Sequence, residues 1–217
     1  MRRVGRRLLT WLVLLSVPLT MSCGKTLTPT NEVNVLSRSS IEDWSSYTLN
    51  VNGVNFTLPC TYSEFKETTG SHMDAVDEAS ILCKDSSTLC TVYRGKQSVA
   101  YIEIFNDSDE DLKYSECVIQ EVSQDVYCVE QSGIQIKFPG DFYAGMSISH
   151  ESLVKGFGEP ERFSEYVDDN SDYWIKIYNW CENEKWSTIN NFQIRVVKGV
   201  IDDISLNHTE ILGIIGG

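Results

Sequence analysis

The chain has 217 residues but only three histidines, His72, His150 and His208, and no CxxC pair, so the ligand spacings that hold zinc are missing. The signatures of common active sites are missing too: there is no G-x-S-x-G elbow, H-E-x-x-H helix, P-loop or dinucleotide fingerprint. His150 stands beside Glu151 and near Ser149 and Ser152, yet neighbours at the start of a helix do not converge on one reacting atom. The acidic pairs Asp168-Asp169 and Asp202-Asp203 would serve glycoside hydrolysis only if distant carboxylates met across a cleft. In NDSDEDLK, residues 106 to 113, the acids Asp107, Asp109 and Asp111 have the first spacings of a calcium loop. Leu112 replaces its turn glycine, however, and Val118 its bidentate glutamate, which leaves a solvated connection. These absences read as a chain that is not an enzyme and carries no metal or cofactor.

Positive charge is also in deficit. Eighteen Lys and Arg face 31 Asp and Glu, for a formal charge of −13. A chain so acidic is repelled by nucleic-acid phosphates and by anionic lipid headgroups, which excludes nucleic acid as a partner.

No apolar run is long enough to span a bilayer. The uncharged stretch Leu8 to Met21 covers roughly 21 Å as a helix, against the ~30 Å of a hydrocarbon core. Four arginines, Arg2, Arg3, Arg6 and Arg7, precede it, which is the layout of an export signal. The run ends Leu19-Thr20-Met21-Ser22-Cys23, a small residue before a cysteine, and this resembles the lipobox of bacterial lipoprotein precursors. The resemblance implies a signal peptide over 1–22, lipidation of Cys23 with palmitate among its acyl chains, and a chain held at the extracytoplasmic face of the cell membrane. Shedding the four arginines takes the formal charge to about −17. The membrane tether therefore rests on covalent lipid, and stable anchoring needs two or more acyl chains.

The polar, aperiodic stretch 23–43 reads as a tether. Six cysteines follow Cys23: Cys60, Cys83, Cys90, Cys117, Cys128 and Cys181. An even number in an exported chain predicts disulfides, Cys83 with Cys90 and Cys117 with Cys128 being the local pairings; the alternative is that several are buried thiols.

Elements alternate from there. In YTLNVNGVNFTL, two alternating runs flank Asn52-Gly53, a hairpin signal. In TYSEFKETTG, Thr61 and Glu64 form a capping box and Gly70 closes a short helix. Strands are predicted over 91–94, 98–106, 114–122 and 134–138. SHESLVKGFG, residues 149 to 158, then aligns with TYSEFKETTG at an offset of 88, and strands follow over 162–166, 173–180, 186–196 and 200–206. This order predicts an α+β fold, an antiparallel sheet with short helices on one face. Its divisions are a first helix-then-strands unit over 44–140, a second over 141–210 and a tail over 211–217.

Gly145-Met146-Ser147, the short helix, Phe157-Gly158-Glu159-Pro160, the aromatic strands and a closing Lys198-Gly199-Val200 before Ile204 carry a second resemblance. The layout is similar to small exported lipoprotein modules related to the SmpA/OmlA outer-membrane assembly lipoproteins and to the tandem-repeat beta-lactamase inhibitor protein. It implies a curved antiparallel sheet that packs helices on one side and meets other proteins with the other, with no catalytic group.

YWIKIYNW, residues 173 to 180, is bulky on both faces. Alternation puts Trp174, Lys176, Tyr178 and Trp180 on one and Tyr173, Ile175, Ile177 and Asn179 on the other. Either the surplus aromatics form an exposed contact surface, with Trp186 extending it, or both faces are buried. On the first reading Trp174, Lys176, Tyr178, Trp180 and Trp186 bind an envelope protein. The alternative partner is a small molecule or glycan stacked on the same rings, and an envelope hydrolase ranks third.

Overall fold

The computed structural model describes residues 43–168, 173–182 and 190–208. The signal segment, Cys23, the tether up to residue 42, Trp186 and the tail lie outside the described residues.

The fold opens with the hairpin of β1 (Thr48–Val51) and β2 (Val54–Thr57). Asn52 and Gly53 between them sit at φ 52° and 86°, the positive values that a primed turn demands. Next come β3 (Cys60–Thr61) and α1 (Tyr62–Thr69). The capping box forms as the sequence predicts: Glu64 N donates to Thr61 Oγ1 at 3.2 Å, and Thr61 N donates to Glu64 Oε2 at 2.9 Å. A short α2 (Ala75–Ala79) starts at Asp74, which accepts from two backbone amides. The first half continues with β4 (Ile81–Leu82), β5 (Ser87–Arg94), β6 (Gln97–Phe105), β7 (Leu112–Lys113), β8 (Val118–Asp125), α3 (Val126–Ser132) and β9 (Ile136–Lys137). The second half consists of α4 (His150–Phe157), β10 (Arg162–Asp168), β11 (Tyr173–Cys181), β12 (Asn191–Val197) and β13 (Val200–Asn207).

The main sheet is antiparallel and eight-stranded, in the order β10-β11-β12-β13-β8-β6-β5, with β3 paired to β8. The architecture is α+β. β13 runs against β8, with Ile204 opposite Gln124 and Leu206 opposite Val122, and so joins the late strands to the early ones. Alternation sends Ile102, Ile104, Ile119, Val122, Phe192, Ile194, Ile204 and Leu206 to one face, all fully buried. Phe65 and Tyr62 of α1, and Leu153 and Phe157 of α4, pack into the same core. The small sheet β2-β1-β9 lies on this side as well, with Leu49, Val51 and Ile136 buried. α3 follows β8 directly, with Val126 and Val129 against the core and Cys128 against Tyr101.

Two polar groups hold this core together. Gln124, fully buried, donates from Nε2 to Val99 O at 2.8 Å and Ile134 O at 3.1 Å, and accepts from Ile136 N at 2.9 Å. It thereby ties β8 to β6 and to the segment that carries β9. Asn106 closes the acidic connection by donating to Leu82 O and Glu110 O while accepting from Ser108. At the start of the fold, Tyr47 stacks on His208 with ring centroids 3.8 Å apart and donates to Glu182 Oε1 at 2.7 Å. Burial and the Glu182 carboxylate hold its phenol far above its ordinary pKa.

The expected disulfides are corrected. No disulfide occurs among the described residues: Cys83 is exposed, whereas Cys60, Cys90, Cys117 and Cys128 are buried thiols. Cys90 points into the core opposite Ile102, and Cys83 lies outside it. Cys117 donates to Lys113 O at 3.3 Å, and Cys128 sits in α3 beside Asp125. Burial pushes Cys60 and Cys128 up to about 12 and Cys90 and Cys117 up to about 11, so these thiols stay protonated at neutral pH. The predicted strand over 114–122 begins only at Val118, because residues 114–116 form a 3-10 turn.

Gln124→Leu leaves two buried carbonyls and a buried amide without their partner. It is expected to lower stability by about 2 to 4 kcal/mol, read as a shift in the urea midpoint. A change under ~0.5 kcal/mol would show that the three bonds contribute nothing net.

Candidate protein-binding face

β11 has two faces, and the structure exposes the one opposite to that expected. Tyr178 and Trp180 are each only 1% exposed. Trp180 lies between Phe157 of α4, at 5.2 Å, and Phe192 of β12, at 5.7 Å, and its indole N–H donates to Gly158 O at 3.2 Å. Tyr178 stacks alongside at 6.0 Å, with its hydroxyl 3.3 Å from His150 Nδ1. Both rings therefore form the floor of the groove that α4 fills. Their proposed role in binding is withdrawn, since a ring buried under a helix presents nothing to a partner. Trp174 and Lys176 continue the same face to its margin, half-buried: the Lys176 ammonium lies 5.3 Å from the centre of the Trp174 ring and 3.3 Å from Glu165. Trp186 lies outside the described residues.

The other face carries no helix over its centre among the described residues. Its positions follow from the register. β11 contributes Ile175, Ile177 and Asn179; opposite them β12 contributes Val197, Arg195 and Gln193. Asp203, Ser205 and Asn207 follow on β13, then Asp125, Ser123 and Glu121 on β8, then Tyr101 and Glu103 on β6 and Leu89 and Thr91 on β5. Tyr166 and Ser164 of β10 complete the other margin. Leu89 is 65% and Tyr166 60% exposed. The surface thus has a polar, acidic middle strip with larger side chains to either side.

The acids of that strip sit close enough to feel one another. Glu121 faces Glu103 across β6 and β8, and Asp203 faces Asp125 across β13 and β8. Asn207 Nδ2 donates to Glu121 Oε2 at 2.9 Å and to Glu103 Oε2 at 3.5 Å, and Ser87 donates to Glu103 Oε1 at 2.6 Å. Burial raises the pKa of Glu121, and the Glu103 and Asp203 charges add to the rise while Asn207 opposes it. Burial also raises Asp203, with Arg195 opposing and Asp125 and Asp202 reinforcing. Arg195 is held by Asp202 at 2.6 Å, the residue beside the bulge between β12 and β13. Arg195 Nε and Asn179 Oδ1, both buried on this face, have no hydrogen-bond partner among the described residues, a condition that folded proteins seldom tolerate.

A separate polar depression of about 360 Å³ lies by the small sheet, lined by Asp43, Asn50, Asn55, Lys137 and Asp141. Trp174, Tyr178 and Trp180 are not among its lining residues.

The sequence reading missed Tyr101, Glu103, Glu121, Asp125, Arg195 and Asp203. A signal for them was present: Glu121, Ser123 and Asp125, and Asp203, Ser205 and Asn207, alternate strictly with core residues, and a period of two marks a sheet with one polar face.

A carboxyl whose pKa is raised by folding stabilises the fold at low pH, and that contribution is lost as pH climbs through the folded value. Glu121→Gln and Asp203→Asn are therefore expected to raise stability at pH 7 and to flatten its decline above about pH 4. Urea midpoints at several pH values read this, and a loss of neutral-pH stability in both variants would contradict it. Comparison of the chain with protein-family models, with curated proteins and with solved structures gives no match in any of the three.

Proposed function

We propose that the protein is a non-catalytic module, anchored at the extracytoplasmic face of the cell membrane by lipid on Cys23, that binds an envelope protein through the open face of its sheet. The observation that carries this reading is the sheet itself. One face is closed by α1, α4 and the small sheet, while the other runs from exposed Tyr166 on β10 to exposed Leu89 on β5, across a middle where Ser205 and Asn207 are buried and where, among the described residues, two buried polar atoms lack a partner. A broad surface of mixed polarity with scattered apolar anchors is the composition of a protein interface. The lipoprotein-module resemblance supports the same face and the same division into tandem units, 44–140 and 141–210. Both α1 and α4 start at a hydroxyl cap, end at a glycine and bury their apolar stripe in one core. The glycan reading gains no support from Tyr178 and Trp180, which lie under α4.

Two measurements test this. Labelled palmitate is expected to enter the full chain and to be lost in Cys23→Ala, together with recovery in the membrane fraction; a labelled or membrane-bound Cys23→Ala variant would refute the anchor. Co-purification from solubilised membranes is expected to lose its partner in Ile177→Arg and in Leu89→Arg at the exposed margin, with circular dichroism unchanged, and to keep it in Val76→Ala on exposed α2. Retention of the partner by both folded open-face variants would refute the interface.

A further inference from the structure

β10 ends the sheet, and no strand among the described residues pairs with its outer edge. It carries more exposed apolar surface than an edge strand normally does: Phe163 is 44%, Tyr166 60% and Val167 62% exposed. An edge of this kind is a template for another strand. At the opposite end of the sheet, part of the β5 edge is occupied, since His72 and Tyr93 exchange two backbone hydrogen bonds at 2.9 and 2.7 Å.

The order of residues on β10, RFSEYVD, is self-complementary when the strand is turned against itself. With residue 165 on a two-fold axis, position 162, an arginine, stands opposite position 168, an aspartate. Phe163 stands opposite Val167 and Ser164 opposite Tyr166, and each pair shares one face of the sheet. Centring on 164 would instead set Phe163 against Glu165, and centring on 166 would set Glu165 against Val167. Only the 165-centred register sets apolar against apolar, Phe163 against Val167. The two glutamates at the axis repel, but each is already paired with Lys176 of its own chain at 3.3 Å. The axis stands perpendicular to the sheet, so both helix layers remain on one side and both open faces on the other. The contact closes after two copies, whereas β5 meeting β10 would propagate.

We propose that two copies of this protein associate through antiparallel pairing of β10 with β10, centred on residue 165. The strand supplies seven residues a side, against the 20 to 30 of a standard interface, so the dimer is weak and reversible.

A register-specific crosslink tests it. Opposed residues of an antiparallel pair have Cα atoms about 4.5 to 5.5 Å apart, inside the span of a disulfide. In the full chain with Cys83→Ser, Glu165→Cys under mild oxidation is expected to give covalent dimer in at least tenfold greater yield than Ser164→Cys or Tyr166→Cys alone. Mixing those last two proteins restores the yield. Adding Val167→Lys, at a solvent-exposed site the fold tolerates, is expected to reduce the Glu165→Cys dimer severalfold. The proposal is overturned if Glu165→Cys gives no dimer, if all three single cysteines or Leu89→Cys on β5 react equally, or if Val167→Lys leaves the yield unchanged.

Discussion

The pairing of β13 with β8 is the constraint on which the structure depends. Five residue pairs, from Asp203 opposite Asp125 to Asn207 opposite Glu121, fuse the strands on either side of it into one sheet. Because side chains alternate with a period of two, that register decides what every neighbouring strand can show. Ile204, Leu206 and Val122 go inward with Phe192, Ile194, Ile102 and Ile104, and the acids and amides of the same strands go outward. A slip by one residue would bury Glu121 and Asp203 beneath α1 and α4.

That arrangement places like charges on adjacent central strands, where cross-strand neighbours repel. The fold offsets this with short-range partners: Asn207 is shared by Glu103 and Glu121, Ser87 caps Glu103, and Arg195 lies between Asp202 and Asp203. The raised Glu121 and Asp203 carboxyls show that these partners do not fully replace water. A surface in that condition is stabilised by whatever brings it positive charge or hydrogen-bond donors.

Much of the local structure was legible because its causes are local. Asn52-Gly53 admits the positive φ of a tight turn, Thr61 and Glu64 satisfy each other's amides, and Ser149 and Gly158 bound α4. The orientation of β11 was not legible. Ile175, Ile177 and Asn179 look no more suited to solvent than Trp174, Tyr178 and Trp180, and the choice is made by β12, whose Phe192 and Ile194 must share a face with Trp180 and Tyr178. The disulfide expectation failed for a related reason, since cysteine count says nothing about direction and the register turns Cys90 inward. The helix α3 was missed because it is seven residues long and its apolar residues divide, Val126 and Val129 against the core and Cys128 against Tyr101, so they give no single stripe to read.

The stack of Tyr47 on His208 joins the first residues of the described fold to the last. Any mechanical load arriving through the segment before residue 43 thus enters beside the end of β13 and passes through Glu182 into the hairpin end of β11. A force applied ahead of residue 43 is therefore shared between the wide sheet, through His208 and Glu182, and the β1–β2 hairpin that follows Tyr47 directly.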